Sequence, residues 1–295
     1  MRKKLNVTGA VCTAMLAVVL GTLGFASSAL AHTGEYAKFD FCPSTKAEVQ
    51  KCLYSVTTGG EVVLGNKKVP IVNAVTLQGG VAAPAESGAE EDISKFFEAT
   101  NGITLSKTPQ PLPGGLLGIV PPESSPPLVK ALSKFFFENG LTGVNSTLEL
   151  AKPASEIRVS QAHIGRKEGV ALKMPVKVHL ENPFLGKSCY LGSSTSPITF
   201  NLTSGETAPP APNTKIEGSS GKIEFLEEGR ILRLNENVLV DNAWSAPSPS
   251  GCGGILSFLV NPVISSMLGS TTAGHNTAIL KNTISIATAV AVNNH

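Results

Sequence analysis

Along much of the chain, apolar residues recur at every second position. Val170, Leu172, Met174, Val176, Val178 and Leu180 alternate with Ala171, Lys173, Pro175, Lys177, His179 and Glu181. This is the period of a strand with one buried and one wet face. After Asn182-Pro183-Phe184-Leu185-Gly186 and Cys189-Tyr190, a second run sets Ile198, Phe200 and Leu202 against Thr199, Asn201 and Thr203. The two runs predict neighbouring strands joined by a long loop that carries a cysteine.

The same pattern predicts further strands. Val62 and Leu64, then Val69, Ile71, Asn73, Val75 and Leu77, alternate around Gly65-Asn66, a dipeptide suited to the positive φ angles of a tight hairpin. Val144 to Ala151 and Ile157 to Ile164 lead into the central pair. Ile223 and Phe225 face Ile231 to Leu234 across Glu227-Glu228-Gly229-Arg230, and Val238 to Val240 extends that strand toward Trp244, the single tryptophan. Near the end, Ile284, Ile286, Val290 and Val292 alternate with Ser285, Ala287, Ala289 and Ala291, giving one branched face and one of small residues.

Three segments read as helical. Ala89 to Thr100 has Glu90, Glu91 and Asp92 at the positive end of a helix dipole, with Ile93, Phe96 and Phe97 on one face. A second helix starts at Ser125, with proline in its first turn, and runs through Leu128, Leu132, Phe135 and Phe136 to Gly140, wedged into the core. The third segment, Ile255 to Leu268, is apolar on nearly every side, interrupted by Asn261-Pro262, and too short to span a bilayer. It predicts burial on the sheet or a place lining a pocket beside it. Proline- and glycine-rich loops fall near 104–127 and 205–221. The fold class is therefore mainly β: an antiparallel β-sandwich or irregular β-barrel with about three short helices.

The beginning of the chain changes the reading of its charge. Arg2, Lys3 and Lys4 precede an apolar run from Val11 to Phe25 and the small residues Ala29 and Ala31, the order of a secretory signal peptide over residues 1–31. The alternative, a retained anchor, is disfavoured by the shortness of the run. Cleavage before His32 leaves 264 residues, read as one β-rich domain over 32–295, with 21 basic and 22 acidic side chains. A near-neutral chain without a basic run has no electrostatic footprint for nucleic acid, and after signal removal no transmembrane span is expected.

Four cysteines remain, Cys42, Cys52, Cys189 and Cys252, and an even number in an exported chain reads as a disulfide staple. Three connectivities are open. Pairing Cys42 with Cys52 and Cys189 with Cys252 is the most economical. None of the pairs has the Cys-x-x-Cys spacing that zinc favours, so no metal and no cofactor is expected.

Catalytic signatures are missing: there is no Gly-x-Ser-x-Gly, no His-Glu-x-x-His and no phosphate-binding glycine loop. The weak nucleophilic constellation that can be assembled is His275 with Asp241 and Ser248, or the nearby Ser245 or Ser250. Its spacing is not diagnostic, and Gly274-His275-Asn276 reads equally as a turn before a strand.

Cys42-Pro43 with Lys51-Cys52-Leu53-Tyr54-Ser55, Asn182-Pro183-Phe184-Leu185-Gly186 with Cys189-Tyr190, Cys252-Gly253-Gly254 and Gly274-His275-Asn276-Thr277-Ala278 resemble uncharacterised secreted proteins of actinobacterial type. The resemblance implies export and a Gram-positive envelope setting, and no activity. Two functional expectations follow. One is a non-catalytic binding or structural protein, secreted or held at the envelope, whose apolar residues Leu132, Phe135, Phe136, Leu256, Leu259 and Ile264 meet a lipid or an envelope partner. The other is a secreted hydrolase with a dispersed Ser/His/Asp site.

Overall fold

The computed structural model describes residues 32–86 and 92–295. The expected signal and the acidic residues Glu90 and Glu91 lie outside the described residues. Residues 32–295 form one compact unit.

Fourteen strands make one sheet. They are β1 (Lys51–Leu64), β2 (Lys67–Pro70), β3 (Val75–Pro84), β4 (Ser94–Phe97), β5 (Gln110–Pro111), β6 (Asn145–Leu150) and β7 (Arg158–Val159), followed by β8 (Leu172–Glu181), β9 (Tyr190–Leu191), β10 (Ile198–Leu202), β11 (Lys222–Leu226), β12 (Ile231–Asp241), β13 (Pro249–Ser250) and β14 (Asn276–Thr288). The described α-helices are α1 (Pro127–Phe137), α2 (Gln161–Arg166), α3 (Ser257–Leu268) and α4 (Ala289–Asn293). The strands run in the order β11-β12-β14-β1-β3-β4-β7-β8-β6-β5, with β9 and β10 also on β8, β2 on β1 and β13 on β9. Every pairing is antiparallel. The protein is thus mainly β and disulfide-stapled, and its sheet is not closed into a barrel. Thr203 and Val240 exchange backbone hydrogen bonds of 2.9 and 2.8 Å, which draws the chain just past β10 to β12 across the sheet.

The predicted central pair is present: β8 and β10 are neighbours with Ile198 opposite Val176 and Phe200 opposite Met174, all four buried. The hairpin at Gly65-Asn66 is also present, with Leu64 opposite Lys67 and Gly65 at φ 54°. Alternation on β14 sends Ile284 and Ile286 into the main core with Leu53, Met174 and Phe200. Its other face places Ala287 in a second cluster with Tyr36, Phe39, Ile231 and Val292. Small side chains there let the N-terminal segment lie close to the sheet. Glu35 ties that segment to β12 through ion pairs with Lys38 and Arg233. Its hydrogen bond with Lys38, with the charges of Lys38 and Arg233 added, holds its carboxyl below the ordinary carboxylate range.

The two disulfides are Cys42–Cys52 and Cys189–Cys252. The first joins the N-terminal turn to β1. The second joins the loop before β9 to the segment leading into α3.

Several local expectations are corrected. Residues Ser94–Phe97, expected within a helix, form β4, because Ser94 and Phe96 turn inward while Lys95 turns out. The strand expected over Ile157 to Ile164 shrinks to β7. Beyond it Ser160 accepts a hydrogen bond from the His163 amide and starts α2. At the C-terminus, Thr288 accepts from the Ala291 amide, so β14 ends in α4 instead of running on to Val292. Helix α1 occupies the predicted segment but is not wedged into the core, since none of its residues is buried. Nor is the 255–268 segment wholly core: Ile255, Phe258 and Leu259 are exposed, while Leu268 is buried.

Candidate functional site

One face of the sheet borders an apolar cavity. Because side chains two residues apart on a strand share a face, each strand contributes to the lining in steps of two: Val62 and Leu64 from β1, Ser146 and Leu148 from β6, Val178 and Leu180 from β8, and Ile198 and Phe200 from β10. Trp244 adds its indole, packed edge-on against Phe200 at 5.0 Å between ring centres. Another part of the wall is α3. Ile264, Met267 and Leu268 lie three and four residues apart, hence on one helical face, and all three line the cavity. The glycine-rich turn 115–117, which contributes Gly115 and Leu116, adjoins them.

The cavity volume is about 160 Å³. The few polar residues on its wall are largely spoken for. Gln110 accepts from the amides of Val72 and Asn73 and donates to the carbonyl of Asn73, and Ser146 donates to the carbonyl of Gln110. What remains is a space with apolar walls and no internal partner for them. A hollow of about 450 Å³ lies on the opposite face of β8 and β10, bordered by Lys152, Arg158, Lys173, Thr199 and Asn201. Lys152, Lys173 and Asn201 are exposed, so this is a depression of the solvated outer surface. The apolar cavity, although smaller, is the site with an almost wholly apolar lining.

Helix α3 is held at both ends. Cys252, bonded to Cys189, precedes it, and the Cys252 amide donates to Asn261 Oδ1 at 3.0 Å. At the other end the Leu268 carbonyl accepts from the Asn66 amide at the β1–β2 turn. Asn276 braces the same corner, accepting from the Gly65 amide at 3.0 Å and donating to the Trp244 carbonyl at 2.9 Å. One wall of the cavity is therefore a helix tied down by a disulfide and by a hairpin.

Of the apolar residues singled out from the sequence, Ile264 lines the cavity. Leu256 and Leu259 lie on the same segment but are exposed, at 55% and 56%. Leu132, Phe135 and Phe136 stand on exposed α1, with the two phenylalanine rings edge to face. None of the α1 residues lines the cavity, and the helix packs on the turn 115–117. Residues the sequence reading did not mark, above all Lys67, Leu148, Val178 and Leu180, make up the wall.

Asp241, His275 and Ser248 share no hydrogen bond in the described residues. Asp241 is buried, and its two oxygens accept from the amides of Asn201 (2.6 Å) and Ala243 (2.9 Å). Burial raises its carboxyl above the ordinary range, partly offset by those two amides. His275 and Ser248 are exposed. Among the described residues no group of three or more histidine, cysteine or acidic side chains is arranged to hold a metal ion.

No protein-family model, curated protein or solved structure matches the chain.

Proposed function

We propose that this protein is a non-catalytic binding protein whose cavity takes the aliphatic part of a small lipid-like ligand, and that it works outside the cytoplasm, in a Gram-positive envelope or its surroundings. The cavity carries the reading. Apolar side chains from seven strands, Trp244 and one helix converge on a volume that they do not fill, and a ligand chain placed there gains the contacts and the dehydration that the walls lack. The exposed apolar side chains of α1 and of the start of α3 extend the greasy surface beyond the cavity, as suits a protein that takes its ligand from apolar surroundings. Two disulfides fit an oxidising compartment. Among the described residues no helix is long and apolar enough to cross a membrane.

The test is a titration of the purified mature protein with an uncharged environment-sensitive fluorescent probe, followed by displacement with long-chain alcohols. Saturable binding of one probe per chain, displaced competitively, supports the reading. Absence of saturable binding, or binding that survives filling of the cavity by Val178→Trp in a folded variant, overturns it.

A further inference from the structure

We infer that the ligand is an amphiphile with an anionic head, and that the ammonium of Lys67 holds that head at the cavity wall. The inference rests on the cavity being the ligand site and specifies what the site selects.

Lys67 is the first residue after the two-residue turn Gly65-Asn66. Strand alternation puts Lys67 on the same face as Val69, and both line the cavity. Among the lining residues Lys67 alone is charged. Its neighbour Lys68, on the other face, takes the nearby carboxylate of Glu61 at 2.7 Å. Among the described residues no carboxylate lies within ion-pair distance of Lys67, which is itself partly buried. Its surroundings give it no compensating acceptor. A Cβ built on Gly118 would meet Lys67 Nζ and come within 3.3 Å of the Met267 terminal methyl, so the ammonium is set between the 115–117 turn and α3, at the seam of two cavity walls. The cavity thus offers apolar walls, one unpaired cation and no free carboxylate among its lining residues. An aliphatic chain ending in a carboxylate or a phosphate supplies what each of these lacks.

Four twelve-carbon compounds with a common tail test this below their micelle concentrations: dodecanoate, dodecyl phosphate, dodecanol and dodecylamine. Binding to the folded full domain is measured by displacement of the uncharged probe, for the parent protein and for Lys67→Met and Lys67→Arg. The expected result is at least tenfold tighter binding of the anions than of dodecanol. That preference is lost in Lys67→Met and is kept in Lys67→Arg. Preference for dodecanoate alone points to a free fatty acid, and preference for the phosphate alone to a phospholipid headgroup; either supports the anion site. Equal binding of dodecanoate, dodecanol and dodecylamine, or an anion preference that survives Lys67→Met, overturns the inference while leaving the apolar cavity standing. Failure of all four compounds to displace the probe removes the cavity reading itself. If Lys67→Met does not fold, loss of the parent's anion preference at high salt gives the same reading, because an ion pair at a partly exposed ammonium is screened; persistence at high salt then counts against Lys67.

Discussion

Helix α3 separates burial from exposure within a few residues, and two leucine truncations test that division. Leu268 is 7% exposed and Leu259 is 56% exposed. Truncation of a buried leucine to alanine costs about 2–5 kcal/mol. Because Leu268 already borders a space, its removal enlarges an existing hole, and the lower half of that range, about 2–3.5 kcal/mol, applies. At Leu259 the folded protein hides less than half of the side chain. Since complete burial of a leucine gives about 1.5–3 kcal/mol, the loss on truncation stays below about 1 kcal/mol. For a domain of this size a kilocalorie moves the melting temperature by about 2–4 °C. Leu268→Ala should therefore melt at least about 4 °C below the parent and Leu259→Ala less than about 4 °C below it. The assay is chemical denaturation with thermal melts on both variants and the parent. An unchanged denaturant slope shows that the unfolded state has not been altered. A Leu259→Ala loss equal to that of Leu268→Ala would refute the placement of α3, because it would mean that both faces of the helix are core.

Three more outcomes follow from the fold. In the chain-entropy relation, the Cys189–Cys252 closure spans 63 residues and the Cys42–Cys52 closure 10, so replacing each pair by serine costs about 4.3 and about 2.7 kcal/mol respectively; the reverse ranking in denaturant melts contradicts it. Burial raises the Asp241 carboxyl above its unfolded value, so as pH rises from the ordinary carboxylate value through the raised one the unfolded chain releases its proton first and the folded state loses stability. The stability difference between parent and Asp241→Asn should shift in the parent's favour on acidification through that window, and a flat difference refutes it. Mass analysis of the exported protein should find His32 at its N-terminus, whereas a membrane-held product retaining residues 1–31 contradicts the expected processing.

Where both faces of a strand have a definite environment, its place was legible in the residues. The alternation in Val176–Leu180 and Ile198–Leu202 marks β8 and β10 because one face is apolar and the other carries Lys177, Thr199 and Asn201. Gly65-Asn66 marks its hairpin because the turn needs a positive φ. Cysteine spacing singled out the two bonds that form. Short segments were ambiguous: Ile93, Phe96 and Phe97 fit a helical stripe as well as a strand, and β4 is settled by Val81 opposite Phe96, a contact that no local pattern contains. The joining of all strands into one sheet was equally hidden, since β1 meets β14 with Leu53 opposite Ile286. An empty volume is the part of the interior that no side chain occupies, so the cavity had no sequence signature. Lys67 did leave a trace, as a cation at the head of the apolar row Val69, Ile71.

The central claim is that an aliphatic chain lies inside the sheet and not on the exposed helices. Methyl NMR of the domain with a nitroxide placed near the end of a long-chain ligand's tail measures this directly. The account predicts strong paramagnetic broadening at Leu148, Val178 and Leu180, which line the cavity, and weak effects at Leu128 and Leu132 on α1. Broadening concentrated on Leu128 and Leu132, with the cavity methyls unchanged, would contradict it.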